Sequence, residues 1–165
     1  MTTPSRWTAL PVDWDDPRAV APRAAMDAEL NERYADRFSA YDPETLARFE
    51  RDFALDPATI VATVILLGDD DVPVGHAALR ALGDELEVKR VFVHAGARGS
   101  GASRALMAEL ERIGRERGAR RLILQTGDRQ PDAVTLYERI GYTRIPSFEP
   151  YAAFDFSLCY EKPLA

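Results

Sequence analysis

The sequence predicts a mixed α/β fold, and three observations predict it. Apolar stretches of strand length at residues 59–67, 74–82 and 86–93 follow one another across tight turns rich in Gly, Asp and Pro, the pattern of an antiparallel meander. The third stretch passes through a glycine-rich turn into a helical segment and returns as a short apolar strand at 120–126. A strand–helix–strand unit of that kind implies a parallel pairing with a right-handed crossover. The chain has 165 residues, 46% hydrophobic and 29% charged, which suits one globular domain with a core of its own.

The elements follow in order. Residues 7–12 read as a first strand, ended by Pro11 and an acidic run at 13–17. Residues 17–35 read as a helix, with Ala21, Ala24, Ala25, Ala28 and Leu30 among charged neighbours and Pro22 near the start of its continuous portion. Asp42 caps a second helix running through Phe53, with Pro43 in its first position, and Asp56-Pro57 ends that region. Turns at 68–73 and 83–84 separate the three meander strands. In the helix after the glycine-rich turn, Ala102, Leu106, Leu110 and Ile113 form the buried stripe, Glu111 and Arg115 an exposed pair, and Gly118 the stop. Beyond the next strand, Ala133, Leu136, Tyr137 and Ile140 recur at helical spacing, with Pro131 in the first turn and Gly141 as the cap. A final strand carries Cys159, the chain's one cysteine, placed there for packing.

The chemistry starts at residues 91–103. Opening amides of a helix lack partners within it, and the helix dipole adds positive charge at that end. Gly99 and Gly101 let a bulky anion approach the backbone, and Arg98 stands beside it with a fixed charge. This is a pattern for a diphosphate. A P-loop is excluded because no Gly-Lys-Ser or Gly-Lys-Thr occurs, and the dinucleotide fingerprint because Arg104 stands three residues after Gly101. What remains is Arg98-x-x-Gly101-x-Ser103.

That segment resembles the [QR]-x-x-G-x-[GA] signature of the GNAT N-acetyltransferase superfamily, with Ser103 in place of the usual Gly or Ala. The string from Ala133 to Tyr142, A-x-x-L-Y-E-x-x-G-Y, is similar to the family's A-x-x-[FL]-Y-x-x-x-G-F, in the same order and with a strand between. The resemblance covers residues 60–163 and implies a single domain over 1–165. Its sheet would have about six to seven strands, mostly antiparallel, flanked by about four helices. The coenzyme core would span 60–145, and acceptor-site elements 17–55 and 145–158.

The resemblance implies acetyl-CoA as co-substrate, gripped by amides of Arg98, Gly99, Ser100, Gly101, Ala102 and Ser103. Its pantetheine arm would pair with the edge at Val91, Phe92 and Val93, whose amides would polarise the thioester carbonyl. Acetyl transfer to an amine also needs a proton acceptor and a donor for the departing thiolate. Tyr137 matches the family's tyrosine near the sulfur, and a phenol can donate at neutral pH. Glu87, eleven residues before Arg98, matches the glutamate that several members use as a base, often through water. On an unbulged strand Glu87, Lys89, Val91 and Val93 share a face, whereas a bulge breaks that parity. The competing reading of Glu87 is an exposed strand residue paired with Lys89 or Arg90.

Acceptor contacts are expected from Glu29, Tyr34, Phe148 and Tyr151, since carboxylates beside aromatic rings suit an ammonium ion. His76 and His94 read as structural, and the acidic run 69–71 as solvated charge rather than a metal site. No metal is expected. A net charge of −6 without a basic stripe argues against nucleic acid. The longest apolar run, 59–67, is far short of the roughly 20 residues that span a bilayer. An N-terminus without an apolar leader and a lone cysteine point to the cytoplasm. The expected partner is a small-molecule amine, with a homodimer left open. A protein or peptide N-acetyltransferase and a non-catalytic acyl-CoA sensor are the alternatives.

Overall fold

Strand β1 (Thr8–Val12) opens the computed structural model, which describes residues 6–164. The first residues, read above for lacking an apolar leader, lie outside the described residues. Two helices follow, α1 (Pro17–Ala40) and α2 (Pro43–Asp52), then the meander β2 (Ile60–Leu67), β3 (Pro73–Leu82) and β4 (Glu85–Val93). Helix α3 (Ala102–Glu116), strand β5 (Arg121–Gly127), helix α4 (Pro131–Arg139), and strands β6 (Thr143–Ile145) and β7 (Ser157–Pro163) complete the chain. Among the described residues the strands form one seven-stranded sheet in the order β1-β2-β3-β4-β5-β7-β6. The β4–β5 pairing is parallel and every other one antiparallel. The mixed, mostly antiparallel sheet and its four helices match the expected architecture.

Local chemistry explains most element boundaries. Asp42 caps α2 by accepting the Thr45 amide at 2.7 Å, with Pro43 in the first turn as expected. Helix α1 runs five residues past the expected end. Pro22 lies inside the helix, in its second turn, where it removes one backbone hydrogen bond, and Tyr34 and Phe38 pack the C-terminal half against other aromatic rings. One surface expectation needs correction. Glu111 is buried and pairs with Lys162, and Arg115 donates to the Leu164 carbonyl at 3.2 Å, because the end of β7 crosses over α3.

Two features of β4 position the site. First, its parallel pairing with β5 covers only Leu86, Glu87 and Val88, opposite Leu122, Ile123 and Leu124. Beyond Val88 the strands splay, and the β5-facing edge of residues 89–93 is left to the interior of a cleft. Second, β4 bulges. His76 faces Phe92 and Ala78 faces Lys89, so Arg90 and Val91 together oppose Ala77. Arg90 takes a left-handed φ of 58° there. The bulge resets the side-chain parity, and Val88 and Val93 therefore both join the α3-side core with Leu106, Leu110, Leu122 and Leu124. A buried His76 braces it: its ring accepts from Arg23 Nη1 (3.1 Å) and donates from Nδ1 to the Arg90 carbonyl (2.9 Å). Arginine can only donate, which fixes that tautomer.

Candidate active site

The cleft between the splayed strands holds two adjoining cavities. The larger, about 560 Å³, runs from the β4 edge to the start of α3 and along α4. Val91, Phe92, Val93, Arg98, Gly99, Gly101, Ala102 and Ser103 line it, with Tyr137 at its inner end. Gly99 and Gly101 have φ of 75° and 88°, values that side chains other than glycine's adopt at a cost. The turn they make brings the start of α3 to the border of this space, and the opening amides of a helix lack partners within it. Ser100 alone of the expected coenzyme residues is not among the lining residues, because its carbonyl accepts from the Trp7 indole at 3.4 Å and its hydroxyl bonds the Ala97 carbonyl. Arg104 and Arg139 also line the cavity and were not singled out in the sequence.

Arg98 is engaged in two directions. Its Nε donates to the Val93 carbonyl at 2.8 Å, tying the turn to the strand end. Its two terminal nitrogens grip Glu29 of α1 at 3.0 and 2.8 Å. The guanidinium, first by hydrogen bonding, holds the Glu29 carboxyl below its usual range. Glu29, expected among the acceptor contacts, lines the coenzyme-side cavity instead.

The second cavity, about 360 Å³, lies between α1, α2 and the β4–β5 splay. Tyr34, Phe38, Phe49, Phe53 and Phe156 wall it, with Lys89 and Arg90 on the strand side. Phe49 stacks on Phe53 at 4.4 Å and meets Phe38 at 4.7 Å between centroids. Of the four expected acceptor residues, Tyr34 lines this cavity. Phe148 and Tyr151 line neither, since Tyr151 is wholly buried behind the wall and Phe148 packs edge-on against it at 5.5 Å. The Phe49/Phe53 pair, four apart on a short helix, was the sequence signal for the wall that was passed over.

Behind that wall lies a buried polar cluster. Glu87 is fully buried, with one oxygen taken by Arg80 Nε at 2.5 Å and the other accepting from the Tyr151 hydroxyl at 2.6 Å. The Tyr151 oxygen in turn accepts from Arg80 Nη2 (2.9 Å) and Lys89 Nζ (2.8 Å). Glu87 is thus not an exposed strand residue, and it lines neither cavity. Hairpin register accounts for this: Leu82 faces Glu85 across the turn, so Arg80 faces Glu87. Burial pushes Lys89 down to about 8, against a smaller opposing pull from Glu87.

Tyr137 connects the two cavities and lines both, as do Met26, Leu30, Val91, Gln130 and Ala133. Burial raises its phenol well above the usual tyrosine value, so the hydroxyl stays protonated across the physiological range. His76 and Cys159 are both buried in structural settings, outside the cavities. Among the described residues no three His, Cys, Asp or Glu side chains cluster in a way that could hold a metal ion, and no helix is long and apolar enough to cross a membrane.

A model of the acetyltransferase (GNAT) family matches residues 24–142. Among curated proteins, an IAA acetyltransferase of Azospirillum brasilense is 38% identical over 93 residues. That match takes in 56% of this chain and 61% of the relative, so it spans less than two thirds of that enzyme. Among solved structures, a Klebsiella pneumoniae protein described as an acyl-CoA N-acyltransferase superposes with a TM-score of 0.75 at 28% identity, covering 96% of this chain and 98% of that one. A GNAT acetyltransferase of Elizabethkingia anophelis with acetyl-CoA bound has a TM-score of 0.66, covering 96% and 98% of the two chains. At 12% identity the latter is a likeness of fold alone.

Proposed function

The chain belongs to the acetyltransferase (GNAT) family, and from that premise we propose that it moves an acetyl group from acetyl-CoA to the primary amine of a small molecule. One observation carries the proposal. A cavity that ends on helix-start amides and a cavity walled by aromatic rings meet at Val91 and Tyr137, where a thioester and an amine would come together. The chain is an acetyltransferase; the small-molecule acceptor is supported by a cleft of about 360 Å³ and by the relative named for IAA.

Diphosphate oxygens would take the amides of Gly99 to Ser103, and pantetheine the open edge at Val91 to Val93. The backbone amides of that edge would polarise the thioester carbonyl. The free amine would attack the carbonyl carbon, the C–N bond forming as the C–S bond breaks, with the electron pair leaving on sulfur. The Tyr137 hydroxyl would donate a hydrogen bond to that sulfur. Its raised phenol favours hydrogen-bond donation over outright proton loss, so the amine's proton reaches the thiolate through solvent. Glu87 lines neither cavity, and its place in this scheme is to hold Arg80, Tyr151 and, across a longer ion pair, Lys89.

A thiol-release assay with acetyl-CoA and a panel of amines, read with mass spectrometry of the products, tests the proposal. Tyr137→Phe is expected to lower kcat by roughly a hundredfold while acetyl-CoA still binds. Unchanged turnover in that variant would remove Tyr137 from the reaction. Acetyl-CoA binding without acetylated product from any amine would end the proposal.

A further inference from the structure

We propose that the acceptor is an amino acid with an aromatic or large aliphatic side chain, its carboxylate held by Lys89. The inference rests on the acetyl-transfer reading above and adds the substrate class.

The charge count in the buried cluster comes first. Arg80 and Lys89 bring two positive charges, and Glu87 brings one negative charge between them. Glu87 spends both oxygens on Arg80 and Tyr151 and stands 3.9 Å from Lys89 Nζ, outside hydrogen-bond range. Lys89 is left with a neutral phenol at 2.8 Å as its near partner. An ammonium has three donors, so Lys89 keeps donor capacity for an anion. Burial lowers Lys89 to about 8, which leaves it mostly charged at neutral pH.

Lys89 also borders the acceptor cavity, and the other charges at that cavity do not cancel it. Arg90 on the same strand is engaged by Asp27. Asp27 and Glu50 line the cavity as well, Asp27 paired with Arg90 and Glu50 solvent-exposed, where water and salt screen its charge. Aromatic walls could hold a permanent cation, but a cation facing a protonated lysine in a dry wall is repelled. The combination of Phe38, Phe49, Phe53 and Phe156 with Lys89 instead fits an apolar body bearing a carboxylate.

Spacing then places the amine. Lys89 and Val91 flank the bulged Arg90 and line the same cavity, which sets Lys89 close to the strand edge assigned to the thioester. A carboxylate on Lys89 therefore leaves an amine one or two carbons away beside the thioester, and a side chain pointing among the rings.

The test compares L-phenylalanine with phenethylamine, which lacks only the carboxylate, in wild-type protein and in Lys89→Met and Lys89→Gln. In wild type kcat/KM for L-phenylalanine should exceed that for phenethylamine by about thirtyfold or more, the loss expected when one partner of a buried charge pair is removed. Both variants should collapse the ratio to within about threefold. A wild-type ratio near one, or a ratio that survives both substitutions, overturns the inference. Calorimetry of L-phenylalanine into the coenzyme A-loaded protein separates the two readings. Lys89-dependent binding without product would sink acetyl transfer and keep this site. Turnover of phenethylamine alone, or no L-phenylalanine binding at all, would sink the site.

Discussion

Burial decides what each polar side chain in and around this site can do. His76 is a clear case. Burial drops its pKa to about 4, so the folded protein keeps the ring neutral between Arg23 and the Arg90 carbonyl. Unfolded, the ring takes a proton near 6.5. Its contribution to stability is therefore fully present above about pH 6.5 and is lost as pH falls toward 4, a difference of roughly 3 kcal/mol. Denaturant unfolding between pH 7 and 4 should show that slope, and His76→Gln should flatten it; an equal slope in both proteins would contradict the assignment. The histidine's structural character was legible in the sequence, as a lone ring inside a strand. Lys89 was not, because period-two alternation gives the face of a strand residue but not the charges that meet it from β3 and from the loop holding Tyr151.

Helix α1 is the element that couples the two cavities. Glu29 at its middle reaches the cradle through Arg98, while Tyr34 and Phe38, one and two turns later, form acceptor walls. Its C-terminal half is pinned to the segment after β5 by Arg37 on Asp128 and Asp36 on Arg129. On the proposed reading, a coenzyme diphosphate would share or displace the Glu29–Arg98 pair. Both side chains are about a third or more exposed, so the pair is worth little. Glu29→Gln should tighten acetyl-CoA binding by roughly two- to fivefold at low salt, measured by titration calorimetry; weaker binding would mean that Glu29 positions Arg98 for the phosphate. The sequence marked a helix over residues 17–35, but placed Glu29 with the acceptor. A helix face can be read from spacing, whereas the element it will meet sixty-nine residues later cannot.

At the scale of the whole molecule, a parallel β4–β5 pairing limited to 86–88 opens the cleft, and the buried cluster at Glu87 stands at the root of that split. Removing its single carboxylate leaves Arg80 and Lys89 buried and opposed. Glu87→Ala should cost about 3–5 kcal/mol in unfolding free energy, against a far smaller loss for a surface pair such as Glu109–Arg112. A loss under about 1 kcal/mol would show the cluster to be hydrated. The order of strands and helices, the glycine-rich turn before α3 and the place of Tyr137 on α4 were legible because each depends on local patterns: alternation, turn chemistry, helical spacing. The aromatic wall and the Arg80–Glu87–Tyr151–Lys89 cluster were not, because they join α1, α2, β3, β4 and the segment before β7. The most direct measurement of the central claim is acetyl-CoA calorimetry on wild-type protein and on Gly101→Val, whose φ of 88° and place at the helix start make it the most sensitive point of the cradle. The wild type should bind and the variant should lose binding by about tenfold or more, with its fold intact by circular dichroism. Equal affinity in both, or no heat from the wild type, would contradict a diphosphate seated on those amides.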